Sequence, residues 1–139
     1  MTSDQPASKS VLVADDNQAM ARVIGFNLQR CGFAVTVTHD GTDAWQHLQE
    51  RTFDLLVTDY QMPEMDGMQL CRHIRGDARH NAMSIFMLTA KSFEIETDVL
   101  KNQLGITLTM AKPFSLVDLV RTAQQHLGVE AHFAPAASK

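Results

Sequence analysis

Short apolar runs alternate with amphipathic stretches through the middle of this chain, and that alternation constrains its fold more than any other feature. Val11, Leu12, Val13 and Ala14 follow one another without a polar interruption, as do Leu55, Leu56 and Val57 and then Ile85, Phe86, Met87 and Leu88. A strand covered by helices on both faces needs such a run, so these three segments are expected in the centre of a parallel sheet. Val35 and Val37 alternate with Thr36 and Thr38, and Ile106, Leu108 and Met110 alternate with Thr107 and Thr109. That period suits strands with one face less deeply covered, which predicts the two sheet edges. Between the runs, Met20, Val23, Ile24, Leu28 and Cys31 recur at helical spacing, and so do Leu116, Leu119, Val120, Ala123 and Leu127. Asn17 and Ser115 stand where N-caps are wanted, Asp66 precedes a stretch with Met68, Cys71 and Ile74, and Gly32 and Gly128 stand where helices stop. The expectation is an α/β fold of five βα units in chain order, with a parallel sheet layered between helices.

Length and composition narrow the possibilities. A chain of 139 residues makes one ordinary domain, and 45% hydrophobic content supports a packed interior and excludes wholesale disorder. The polar, unperiodic residues 1–9 and the Ala- and Pro-containing residues 129–139 read as tails, which leaves 10–128 for the folded domain. Mean hydropathy is -0.14, and no long uncharged apolar run is present to cross a membrane or serve as a secretory signal. A cytoplasmic setting without membrane contact is expected. Net charge -4 disfavours direct nucleic-acid binding, which needs concentrated Lys and Arg. Cys31 and Cys71 form no CxxC motif and the histidines lack metal-ligand spacing, so reduced thiols are the plain reading.

In an open parallel sheet, ligands bind beyond the carboxyl ends of the strands, near the point where strand order reverses. Asp15 and Asp16 follow the first run, Asp59 the third, Thr89 the fourth, and Lys112 with Pro113 the fifth. All fall on one rim. A pair of like charges about 4 Å apart costs roughly 4 kcal/mol at an effective dielectric near 20, so converging carboxylates require a compensating cation. Lys112 supplies one positive charge. Mg²⁺, which takes carboxylates, waters and a phosphate, would neutralise the cluster better, and without metal at least one carboxyl should have a raised pKa. Singly, each residue has an ordinary role: an Asp caps a helix, a Thr ends a strand, a Lys sits in solvent. Together they point to a phosphoryl site.

The ordered motifs Val11-Leu12-Val13-Ala14-Asp15-Asp16, Val57-Thr58-Asp59-Tyr60-Gln61-Met62-Pro63-Glu64-Met65-Asp66-Gly67, Leu88-Thr89-Ala90 and Ala111-Lys112-Pro113-Phe114 resemble the response-regulator receiver domain of two-component signalling. The resemblance covers the chain from about Ser10 to Gly128. It implies a flavodoxin-like (βα)5 sandwich with sheet order 2-1-3-4-5. It further implies that Asp59 is the phosphoacceptor, and that Asp15, Asp16, Asp59 and the backbone carbonyl of Gln61 hold Mg²⁺ (or Mn²⁺). Thr89 and Lys112 match the phosphoryl contacts, and Lys112–Pro113 matches a bond that is commonly cis in the family. The implied partners are a sensor histidine kinase or histidine phosphotransfer protein, which would dock on the first helix through Met20, Val23 and Ile24. A downstream protein target would be met through the face built from the fourth helix, fifth strand and fifth helix. Such a domain assists its own phosphorylation and dephosphorylation without being an enzyme in the ordinary sense. Gln61 and Lys91 match positions that tune hydrolysis of the phosphoaspartate. In one place the chain departs from the family: Thr109 stands where many receivers carry a Tyr or Phe that turns inward on activation.

Other functions fit less well. A phosphatase of the haloacid dehalogenase type also uses a strand-end Asp nucleophile and Mg²⁺, but requires a second Asp two residues on, where this chain has Gln61. A flavodoxin-like FMN carrier needs hydroxyls and amides in its first loop, where Asp15 and Asp16 would repel the phosphate. A P-loop is absent after the first strand. Met62, Met65 and Met68 are expected to pack the acceptor loop and the start of the helix after it, the alternative being an adaptable docking surface for a kinase or phosphotransfer domain. Trp45 and the histidines are assigned to the surface or to helix packing.

Overall fold

A computed structural model describes residues 8–90 and 102–128 of the chain. Its five strands, β1 (Ser10–Ala14), β2 (Ala34–Thr38), β3 (Leu55–Asp59), β4 (Ser84–Thr89) and β5 (Leu108–Ala111), form one sheet in the order β2-β1-β3-β4-β5. Every neighbouring pair is parallel. The helices are α1 (Gln18–Arg30), α2 (Gly41–Glu50), α3 (Gly67–Arg75) and a C-terminal helix (Leu116–Leu127), with a 3₁₀ turn at Ala78–His80. The expected fourth helix falls largely on residues 91–101, outside the described residues. Among the described residues, no helix is long and apolar enough to cross a membrane.

The side-chain period of the strands divides the core in two. Leu12, Ala14, Leu56, Ile85 and Met87 face α2 and α3, with Leu48, Leu70 and Ile74. Val11, Val13, Leu55, Val57, Phe86 and Leu88 face the other layer, with Ile24 and Leu28 of α1 and Leu119 and Val120 of the C-terminal helix. Both faces of the three central strands are thus covered. The edge strands β2 and β5 are only partly buried, as their alternation predicts. Ile106, expected in the fifth strand, is buried just ahead of it. In α1 the buried stripe is Ala21, Ile24 and Leu28, whereas Val23 is exposed. The reason is geometric: one residue turns the helix by roughly 100°, which carries Val23 off the stripe centred on Ile24.

Local chemistry explains the helix limits. The side chains of Asn17 and Ser115 accept from the backbone N–H groups of Met20 and Asp118. Asp66 and Gln69 form a reciprocal capping box at the start of α3. Gly128 adopts φ +70° at the end of the C-terminal helix, a conformation that favours glycine. Arg75, near the end of α3, donates to the carbonyls of Leu104, His80, Asn81, Met83 and Gly105 at 2.7–3.3 Å. One guanidinium thereby ties the connections before β4 and β5 to α3. His80 is buried against Trp45, with ring centroids 6.3 Å apart, and His126 hydrogen-bonds Ser84 Oγ at 2.7 Å.

Candidate functional site: an acidic rim with one lysine

Strand register builds the site. β1 and β3 pair Val13 with Val57 and Ala14 with Thr58, so the next step of the same register sets Asp15 beside Asp59. Both follow the parity of residues that face α1. Asp59 and Thr89 are the last residues of β3 and β4 rather than residues beyond them. Beyond β5, Lys112 donates its backbone N–H to the carbonyl of Thr89 at 2.7 Å, and its side chain crosses the end of β4 to reach the acids. The Lys112–Pro113 peptide bond is cis.

Oxygens of Asp15, Asp16 and Asp59 lie within 4.8 Å of one another. Lys112 Nζ stands 3.1 Å from Asp59 Oδ1 and 3.9 Å from Asp15 Oδ2. Asp15 and Asp59 are buried, whereas Asp16 is exposed. Burial pushes the Asp59 carboxyl above its ordinary range, against the opposing pull of Lys112. Burial likewise raises Asp15, with Asp59 adding to the rise, while the N–H of Asn17 at 3.0 Å from Oδ1 works the other way. The second oxygen of Asp15 is buried and accepts no hydrogen bond. A buried, unsatisfied carboxylate oxygen facing two further carboxylates is a donor set that a hard cation fits.

The rim is held by backbone contacts. Tyr60 N–H donates to the carbonyl of Leu88 at 2.7 Å, and Gly67 N–H donates to that of Tyr60 at 2.8 Å. Gly67 admits no side chain, because a Cβ there would collide with the carbonyl oxygen of Asp59 and come within 3.0 Å of Met87 Sδ. In the sequence Asp66 is marked as a cap and Gly67 closes the motif that carries the resemblance without a stated role; the signal for that role is the Asp-Gly step that opens α3 directly under the loop after β3. Glu64 in that loop has φ +68°. Met62 is buried in the core, and Met65 and Met68 pack against it.

The remaining residues fall as follows. Gln61 is exposed in the loop after β3. Thr89 is buried at the rim. Thr109 pairs with Met87 two residues before the partner of Thr89, on the same face of the sheet and with no aromatic ring. Lys91 lies outside the described residues.

A family model and solved structures agree with this geometry. Residues 11–124 match the family model described as the response regulator receiver domain. The chemotaxis response regulator CheY4 of Vibrio cholerae is 28% identical, with a TM-score of 0.77 over 86% of this chain and 98% of that one. The receiver domain of the sensor histidine kinase PA1611 of Pseudomonas aeruginosa is 29% identical, with a TM-score of 0.77 over 88% of this chain and 99% of that one; its structure has a magnesium ion coordinated in the active-site cleft. The receiver domain of the Francisella response regulator 1452 is 27% identical, with a TM-score of 0.73 over 85% of this chain and 95% of that one. The sheet order is that of the flavodoxin-like fold, and with an acidic pocket suited to a phosphoacceptor at its carboxyl rim, the chain belongs to the response regulator receiver domain family.

Proposed function

We propose that Asp59 accepts a phosphoryl group from the phosphohistidine of a sensor histidine kinase or a histidine phosphotransfer protein, and that residues 10–128 then signal through protein contacts. The observation that carries this reading is a buried Asp59 held 3.1 Å from Lys112 beside Asp15 and Asp16. A carboxylate oxygen of Asp59 attacks phosphorus in line; the P–O bond forms as the P–N bond breaks, and the departing electron pair stays on the imidazole. The Lys112 ammonium moves from the attacking carboxylate to the equatorial phosphoryl oxygens, so its charge follows the charge that develops. Thr89 offers its hydroxyl to the same oxygens.

Asp15, Asp16, Asp59 and the Gln61 carbonyl would hold Mg²⁺, and the buried oxygen of Asp15 that accepts no hydrogen bond supports that assignment. When bound, the cation neutralises negative charge on the transferring group. Mn²⁺ accepts the same oxygen donors. The magnesium of the Pseudomonas aeruginosa receiver structure favours the first ion.

The acyl phosphate brings about -1.5 to -2 of charge and three acceptors if it follows other phosphorylated side chains. Thr89 is drawn toward it, which biases β5 and the C-terminal helix toward a second arrangement. With Thr109 in β5, this coupling works without an aromatic rotation. The chain promotes both gain and loss of its phosphoryl group, with Gln61 at the exposed side of the site controlling water access. Net charge -4 favours protein targets over nucleic acid.

Incubation with a small acyl or amidophosphate donor and Mg²⁺ should add one phosphoryl group, read by intact-protein mass spectrometry. Asp59→Asn or a chelator should abolish the addition. Labelling that survives either treatment contradicts the assignment.

A further inference from the structure

The sheet edge at β2 offers a surface apart from the acidic rim. β2 is paired with β1 alone among the described strands. Its residues, Ala34, Val35, Thr36, Val37 and Thr38, include no charge and no proline, the devices that ordinarily keep an edge from accepting another strand. Above that edge α1 sits low because residue 25 is glycine; a Cβ there would lie 2.6 Å from Val37 Cγ2. The close approach leaves a trough of about 350 Å³ between helix and strand, whose walls, among the described residues, include Phe26, Val35 and Val37 with Arg22, Gln29 and His39 at the border, and no carboxylate. Phe26 is 53% exposed and Val37 36%.

Charge identifies what fits there. The whole chain carries -4, yet α1 holds Arg22 and Arg30 and no acidic residue. The Arg30 guanidinium lies 5.7 Å from the centroid of the Phe26 ring. An apolar trough with a cationic border, on an acidic protein and beside an unguarded strand, is complementary to an extended segment with alternating acidic and apolar residues. We propose that the β2 edge binds such a segment of a partner protein, which adds as a strand to the sheet, seats an apolar side chain between Phe26 and Val37, and sets its carboxylates against Arg22 and Arg30. Main-chain hydrogen bonds along the edge provide affinity and the trough provides selectivity. A second copy of the chain is the poorer occupant, since edge-to-edge pairing would bring the two cationic α1 faces together.

The test uses the full chain and a short fluorescein-labelled peptide in which glutamate alternates with valine and phenylalanine, titrated by fluorescence anisotropy. Saturable binding is expected, with peptide-induced shifts at the amides of Val35 and Val37 in NMR spectra. Arg22→Glu should weaken binding roughly three- to tenfold, the scale of one reversed surface charge contact. Phe26→Ser should weaken it as well. Both residues are exposed, so unchanged melting curves will separate lost binding from lost fold. Asp59→Asn should bind like the wild type, which keeps this surface distinct from the phosphoacceptor. The proposal is overturned if a lysine-for-glutamate peptide binds equally well, if backbone N-methylation of the peptide leaves binding intact, or if both variants bind like the wild type. It is also overturned if sedimentation shows a dimer that Val37→Lys dissolves, because the occupant is then a second copy.

Discussion

Replacing Asp15 by asparagine should stabilise the metal-free protein while removing its response to divalent cation. At 4.8 Å or less, Asp15 and Asp59 repel by roughly 3.5 kcal/mol or more at an effective dielectric near 20. Lys112, 3.9 Å from Asp15, returns roughly 4 kcal/mol on the same scale. These two interactions nearly cancel; the exposed Asp16, screened by solvent, adds repulsion of the same sign as Asp59, and the largest cost left is that of a buried carboxylate oxygen with no hydrogen-bond partner, about 1–3 kcal/mol. Asparagine has nearly the same shape and no charge, so Asp15→Asn should gain about 1–2 kcal/mol in chelator, a rise of about 3–8 °C in melting temperature for a domain of this size. Mg²⁺ at ten times its dissociation constant should add about 1.4 kcal/mol to the wild type and far less to the variant.

The same comparison has a defined pH dependence. Asp15 and Asp59 both have folded-state pKa values above the ordinary 3.8, so between those values the native state binds more protons than the unfolded chain. Metal-free stability therefore gains from these groups as pH falls from neutral toward 3.8. The advantage of Asp15→Asn should fade over that interval, because the wild-type carboxyl becomes neutral too. Thermal melts in chelator and in Mg²⁺, repeated across that pH range, read all three effects. A variant less stable than the wild type in chelator, or one that retains the full Mg²⁺ shift, would refute the reasoning.

Other substitutions probe the scaffold. Arg75→Ala should lower stability by about 2–4 kcal/mol, since it strips donors from several partly buried carbonyls, and a reduced urea midpoint with an unchanged slope is the expected result. Gly67→Ala should cost about 1–3 kcal/mol and slow phosphorylation, because the added methyl displaces the Asp59 carbonyl; mass spectrometry and melting curves read both. Cys71, whose thiol burial pushes up to about 12, should resist a thiol reagent at pH 8 until the chain is unfolded.

The division into central and edge strands and the rim residues can be read from the chain before any coordinates, because both are written in short-range pattern, whereas the sheet order is what the resemblance to the receiver family implies. Uninterrupted apolar runs mark strands with two covered faces, and a polar residue closing such a run marks the carboxyl rim. Distances are not written that way. Nothing in the spacing of Asp15 and Lys112 tells that one oxygen of Asp15 is left without a hydrogen bond, since that depends on how far the lysine reaches across β4. The exposure of Val23 escapes a list of apolar residues at helical spacing because helix angle, not hydrophobicity, decides which flank meets the sheet. Arg75 gives no local sign of its role: its acceptors come from connections whose approach is fixed only when β4 and β5 are in place.

The register of β1 against β3 has a consequence for how this domain tolerates change. The two buried acids owe their separation to the same backbone ladder that seats Val13, Val57 and their fully buried neighbours. No flexible loop sets that spacing, so the charge cluster cannot relax by drifting apart without unzipping central strands. Substitutions in the interior should accordingly lower the population of competent molecules and leave the chemistry of each surviving molecule intact.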